Sequence, residues 1–299
     1  MTDFNVLITE KPLNLVAKPP NPRKTEMQNL TSSIAKELAR PYALSGEQID
    51  FYRRHEYLKI KEVLSPELIA HFARFIRDKT LELNTNTLPM AERDTYAKAF
   101  IQVINLWRHC DQVRTFVFQL RLARIAAELM EVSGVRLYHD QSLFKEAGGG
   151  ITPWHADQQY WPLASPKTIT AWIPLQAVSP DMGPLAFAAG SQLDQRFRHL
   201  AISDDSERLI QTAMNGYPLD AGPFELGEVS FHSGWMYHRA PPNQTLKTRG
   251  VMTIIYMDQN MRLKEPESKH QVNDRAAFCP GIAVGEICAS ELNPVLWSR

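Results

Sequence analysis

Hydrophobic positions change their period near residue 135: upstream they recur at helical spacing, downstream they alternate. Ser45 is placed to cap a short helix through Arg53, and Ser65-Pro66-Glu67 reads as a helix start, with a capping hydroxyl, a proline in the first turn and an acid beside it. That second helix sets Leu68, Phe72, Phe75 and Ile76 on one stripe. A longer helix is predicted from near Asp111, carrying Val113, Phe116, Val117 and Leu120, then Leu122, Ile125, Ala126 and Leu129, and stopping at Gly134. From Arg136 onward, alternation predicts strands at 136–145, 168–175, 185–188, 228–232 and 249–257, separated by Gly/Pro-rich turns. Consecutive strands without long helices between them favour a sandwich or barrel over a parallel sheet, with the upstream helices covering one face. Residues 192–222 break the rhythm, mixing charge with Leu209, Ile210 and Met214; a lid and a plain surface excursion fit equally. Residues 1–28, with four prolines and no period, read as an irregular arm, and 261–299 as a C-terminal extension.

Charge narrows the partners. Lys+Arg and Asp+Glu are both 33 in 299 residues, so nothing favours nucleic acid or an anionic membrane. No apolar run approaches the roughly 20 residues that span a bilayer. The first residues lack the basic start and apolar stretch of a secretory leader, and Cys110, Cys279 and Cys288 show no metal-type pairing, so reduced thiols and a cytoplasmic location are expected.

The chemistry concentrates in His155-Ala156-Asp157. On extended backbone, residues i and i+2 project to one side, so both side chains can face one ion. A third ligand must come from another strand: His238 follows the apolar run Glu228-Val229-Ser230-Phe231-His232, and Arg249 opens the next strand. Two imidazoles and a carboxylate leave up to three coordination positions free, the ligand set of non-haem Fe(II) oxygenases. His232, six residues before His238, is the competing imidazole. His55, His71, His109, His199 and His270 lie in polar or helical contexts without a partner pattern. On strand 136–145, His139, Gln141, Leu143 and Lys145 share one face, a polar load that needs something polar opposite.

Leu143-Phe144-Lys145-Glu146-Ala147-Gly148-Gly149-Gly150, Trp154 to Gln158, Ala171 to Leu175, Gly183-Pro184-Leu185 with Gly190-Ser191, and His238 to Asn243 with Arg249 agree in order and spacing with one family. From about Ser45 to near its C-terminus the chain resembles the phytanoyl-CoA dioxygenase family of Fe(II)/2-oxoglutarate-dependent oxygenases. The resemblance implies a mainly β fold: a double-stranded β-helix (cupin-like jelly roll) over 135–260, flanked by α-helices, with helical support from 45–134, all in one oxygenase domain. It implies His155, Asp157 and His238 as metal ligands and catalytic residues, favouring His238 over His232 through the His-x-Ala-x-x-Asn signature. It implies Fe(II), 2-oxoglutarate and O2 as cofactors, with release of succinate and CO2 as an unactivated C–H is oxidised.

Arg249 is then expected to hold the distal carboxylate of 2-oxoglutarate, which a planar guanidinium grips in two-pronged fashion. Gln141 is a candidate donor to the cosubstrate, or faces solvent; Thr170 and Trp172 flank it, Trp172 fitting plain core equally. Trp154, Tyr160 and Trp161, with Trp235, Met236 and Tyr237, are expected to wall the substrate site, the alternative being that half of them only pack. The substrate is expected to be a small hydrophobic or amino-acid-like molecule. An acyl-CoA needs clustered cations, and only Lys167, Arg239 and Lys247 lie near the motifs. Desaturation, ring formation and a non-catalytic binding module are the alternatives; Asp157 speaks against a halogenase. Oligomeric state is left open.

Overall fold

A computed structural model describes residues 32–299, so the arm expected over 1–28 lies outside the described residues. Helix α1 (32–39) and α2 (Gly46–His55) lead into strand β1 (Tyr57–Ile60) and helix α3 (Pro66–Leu83). Both predicted caps form. The Ser45 side chain accepts from Gln48 N while the Gln48 side chain returns to Ser45 N, and Ser65 accepts from Leu68 N. Leu68, Phe72 and Ile76 are buried, with Phe75 half-buried beside them.

Helix α4 (Thr95–Ala99) and strand β2 (Ile101–Ile104) follow, and then two helices stand where one was predicted: α5 (Asp111–Val117) and α6 (Leu120–Met130). Gln119 between them is extended, and its amide donates to the Phe116 carbonyl at 2.8 Å, closing the end of α5. Leu120, expected on the buried stripe, restarts the helix and is exposed. The stop is not Gly134 either. Glu131 takes the left-handed conformation (φ 57°) that caps α6, and Gly134 opens strand β3, where a Cβ would lie 2.3 Å from the Gln259 side chain.

The β region contains β3 (Gly134–Lys145), β4 (Thr152–His155), β5 (Thr168–Pro174), β6 (Ala186–Ala188), β7 (Leu219–Asp220), β8 (Val229–Ser233), β9 (His238–Ala240), β10 (Arg249–Asp258) and β11 (Val295–Ser298), with helices α7 (Asp204–Met214) and α8 (Lys269–Phe278). The larger sheet runs β1-β8-β5-β10-β3-β11 with β2 also on β3; the smaller runs β4-β9-β6-β7. All the strand pairs are antiparallel, and the two sheets form the jelly roll. Four of the five predicted strands, β3, β5, β8 and β10, are its long members, and the fifth, β6, has three residues. The missed strands have two to four residues, too few for alternation to register.

Alternation sorts the larger sheet. Ile169, Ala171 and Ile173, with Val229, Phe231, Met252, Ile254 and Tyr256, pack against α3, α5 and α6. Their in-between neighbours Thr170, Trp172, His232 and Thr253 face the smaller sheet, across a cavity of about 440 Å³. One bulge matters: Ile255 pairs with His139 and Tyr256 with Leu137, leaving Tyr138 as the extra residue. Leu137 therefore packs with the helices while His139, Gln141 and Leu143 line the cavity. Helix α7, in the segment that interrupts the strand rhythm, lies on β4. Among the described residues no helix is long and apolar enough to cross a membrane.

Candidate active site

The smaller sheet supplies two imidazoles from directly opposed positions, His155 on β4 and His238 on β9, with ring centroids 4.2 Å apart. Asp157 opens the turn after β4. The intervening Ala156 is extended (φ −123°, ψ 128°), which keeps the same-side projection that the i, i+2 spacing requires. Ligand atoms of His155, Asp157 and His238 all lie within 4.8 Å of one another. The Nδ1 atoms of His155 and His238 face the carbonyls of Pro153 (2.7 Å) and Met236 (2.9 Å). A carbonyl only accepts, so each Nδ1 carries the hydrogen and each Nε2 lone pair points to the shared centre. Asp157 Oδ1 is 3.5 Å from His155 Nε2 and 3.7 Å from His238 Nε2. Its other oxygen accepts from the Thr170 hydroxyl at 3.3 Å and lies 3.6 Å from His232 Nε2.

Burial alone would raise the Asp157 pKa, but His238, His155 and His232 hold it well below the usual carboxylate range. Burial, then the neighbouring His155, pushes His238 well below the usual imidazole value. An ionised carboxylate beside a neutral imidazole is the protonation state a divalent metal needs, so the donor set fits iron(II).

Arg249 begins β10 and is 2% exposed, yet no carboxylate pairs with it among the described residues. Its Nη1 donates to the Gly183 carbonyl, its Nε has no partner among the described residues, and the guanidinium lies 5.4 Å over the Trp172 ring. Burial pushes its pKa down to about 9. Gly183 holds a position only glycine suits: its φ is +72°, and a Cβ there would sit 2.5 Å from the Pro241 carbonyl. Such a cation on a cavity wall fits the distal carboxylate of 2-oxoglutarate.

The phytanoyl-CoA dioxygenase family model matches residues 52–251. The chain belongs to the phytanoyl-CoA dioxygenase family. Members are Fe(II)- and 2-oxoglutarate-dependent oxygenases, and this chain is an oxidoreductase of that class. The α-ketoglutarate-dependent carbocyclase SnoK from nogalamycin biosynthesis is 25% identical, with a TM-score of 0.68 over 86% of this chain and 99% of that one. EctD from S. alaskensis, solved with 2-oxoglutarate and 5-hydroxyectoine, shares the fold at 18% identity and a TM-score of 0.58, over 77% of this chain and 83% of that one. The 1-deoxypentalenic acid 11-beta-hydroxylase of Streptomyces exfoliatus is 23% identical over 74% of this chain and 81% of that protein. Methylphosphonate hydroxylase of Gimesia maris is 27% identical over 48% of this chain, which spans only 53% of that relative.

Within this oxygenase the other expected residues divide. Tyr160, Trp161, Gln141, Thr170 and Trp172 line the cavity with Arg249. Gln141 accepts from Gln102 Nε2 at 2.5 Å, so it is tied to β2 rather than to solvent. Trp154, Trp235 and Met236, expected against substrate, are corrections. Trp154 precedes His155 on β4 and projects to the opposite face, where its indole donates to Gln211 on α7 at 2.9 Å. Met236 is packed between the sheets, and Trp235 lines a neighbouring cavity beneath Arg198, 4.1 Å from its ring. Tyr237, one residue before His238, packs with Trp154.

Two residues set aside in the sequence return. His232 is the neighbour of the Asp157 carboxylate, with both ring nitrogens buried and lacking a hydrogen bond. His270 lines the cavity with Asp274 and Phe278 of α8. The i, i+4, i+8 spacing on α8 was the only available signal, and no apolar stripe accompanied it. Lys145 was visible only as part of the polar face of β3. Its Nζ donates to the Gly150 carbonyl, it sits opposite Arg249 in register, and burial, then Arg249, pushes it down to about 6. Asn243 fastens this end: its amide donates to the carbonyls of Lys145, Glu146 and Lys247 at 3.1, 3.0 and 2.7 Å.

Proposed function

We propose that the chain is one oxygenase domain in which His155, Asp157 and His238 hold Fe(II) and Arg249 holds the distal carboxylate of 2-oxoglutarate. The reaction is hydroxylation of an unactivated C–H in a small hydrophobic or amino-acid-like molecule, carried out in the cytoplasm. One observation carries this reading: the three converging ligand atoms and an unmatched buried guanidinium open onto the same cavity.

When bound, the iron and cosubstrate supply the oxidising chemistry, with 2-oxoglutarate ending as succinate and CO2. The Pro153 and Met236 carbonyls fix the two imidazoles, while the Thr170 hydroxyl restrains the outer oxygen of Asp157, with His232 Nε2 lying 3.6 Å from it. Trp172 backs the guanidinium, and Gln141 with Thr170 presents polar groups along the cosubstrate's side of the cavity. Tyr160, Trp161 and Phe278 exclude water from the remaining volume.

Among the described residues Arg249 is the only Lys or Arg lining this cavity, which argues against an acyl-CoA and its phosphates. Ring formation is the second reading, favoured by the likeness to a carbocyclase at 25% identity. The test is iron content of the purified protein together with 2-oxoglutarate-dependent succinate release. About one iron per chain and succinate formation that stops on iron removal are expected; a protein that binds neither iron nor 2-oxoglutarate overturns the reading.

A further inference from the structure

Among the described residues, three Asp, Glu, Lys or Arg line the cavity: Asp157, Arg249 and Asp274. On the reading above, iron matches Asp157 and the cosubstrate matches Arg249, whereas nothing yet matches Asp274. It lies on α8, on the face that also carries His270 one turn before and Phe278 one turn after. That face is knitted to the cavity wall residue by residue: His270 meets Tyr160 edge-on at 5.4 Å, and Phe278 stacks on His139 at 4.1 Å and 16°. Asp274 Oδ2 accepts from the Tyr138 hydroxyl at 3.3 Å, and no Lys or Arg forms an ion pair with it among the described residues. The Nδ1 of His139, which lines the same cavity, is buried and without a partner among the described residues. One carboxylate among aromatic faces, with no protein cation beside it, is a receptor for positive charge.

We propose that the substrate carries a protonated amine that pairs with Asp274, its apolar body lying against Tyr160, Trp161 and Phe278. This rests on the oxygenase reading for the placement of iron and cosubstrate, but the charged group of the amine subsite, Asp274, belongs to α8. Asp274 is thereby a specificity-determining residue, and anionic substrates are excluded from this end.

The probes are 3-phenylpropylamine, 3-phenylpropan-1-ol and 3-phenylpropanoate, titrated calorimetrically into the full chain at pH 8. Burial pushes the Asp274 carboxyl up to about 7, so that pH keeps it ionised. Each titration is run on protein loaded anaerobically with Fe(II) and 2-oxoglutarate, and again after metal removal. The amine is expected to bind about tenfold or more tighter than the alcohol, with the carboxylate weakest. Asp274→Asn should abolish that preference while keeping the Tyr138 contact, and Asp274→Glu should retain it. An amine bound no better than the alcohol, no detectable amine binding, or a preference that persists in Asp274→Asn overturns the proposal. Because the preference is expected in metal-free protein too, its loss and a failure to bind iron are separate results.

Discussion

At one end of the cavity Arg249 opens β10, paired in register with Lys145 of β3, which is not among the lining residues; at the other end a helix, α8, lays His270, Asp274 and Phe278 against His139 and Tyr160. Lys145 lies six positions along β3 from His139, about 20 Å at the usual rise of a strand. The strand-built end is cationic, locked by the Gly183 carbonyl on Arg249 and by the Asn243 amide on the carbonyls of the loop. The helix-built end has an unmatched acid and aromatic rings, on a helix whose buried residues are only Gln271 and Phe278. Rigid, sequence-distant strands suit a centre that must hold a fixed ligand set; a peripheral helix can change its side chains without disturbing that centre. Variants at one end should therefore leave the other end working.

The largest effect belongs to the metal ligands. His155→Ala, Asp157→Ala and His238→Ala should each empty the iron site and abolish turnover, while His232→Ala keeps the metal, weakened by at most about 10- to 100-fold. Metal analysis of the four proteins checks this; an empty site in His232→Ala with iron retained in His238→Ala reverses the ligand assignment.

Next in size is Arg249. Arg249→Ala strands the distal carboxylate in a buried pocket and should raise the 2-oxoglutarate midpoint by roughly 30-fold or more, with Arg249→Lys recovering part of it. A titration under anaerobic conditions measures the midpoint, and an unchanged value removes the cosubstrate anchor.

At the other end, Phe278→Ala should weaken 3-phenylpropylamine by about fivefold through lost ring contact, leaving the 2-oxoglutarate midpoint within about twofold. Equal damage to both ligands would mean that the two ends are not independent.

The smallest effect is on stability. The Lys145 pKa is lowered from 10.5 to about 6, by burial first and by Arg249 second. Between those values the unfolded chain binds a proton that the folded chain does not, so this site's contribution to stability rises with pH. Lys145→Met removes that slope. The melting temperature of the variant minus that of the native chain should therefore fall between pH 6 and 9, by on the order of a few °C; a difference that stays flat shows that Lys145 is not titrating in this window.

How much could be read in advance differs between the same two ends. His155 and Asp157 are two residues apart on extended backbone, so local periodicity already carries them to one side, and Arg249 stands at the start of a ten-residue strand whose mostly apolar run, 251–257, is visible in the sequence. His139 and Phe278 are 139 residues apart in the chain, and no local period connects them. Trp154 shows the opposite failure: its sequence position beside a metal-ligand candidate points to the substrate, but pleating turns it to the far face of β4.

The sequence by itself determined the long strands, the capped helices, the candidate ligand set and the family, because caps, alternation and motif spacing act within a few residues of one another. Tertiary structure alone decided the rest. The break at Gln119, the bulge at Tyr138 that sends His139 inward, the seat of His232 beside Asp157 and the closing of the cavity by α8 all depend on segments that meet only after the sheets have formed. In each case the deciding partner lies across the fold, where side-chain packing and burial set orientation and spacing along the chain does not.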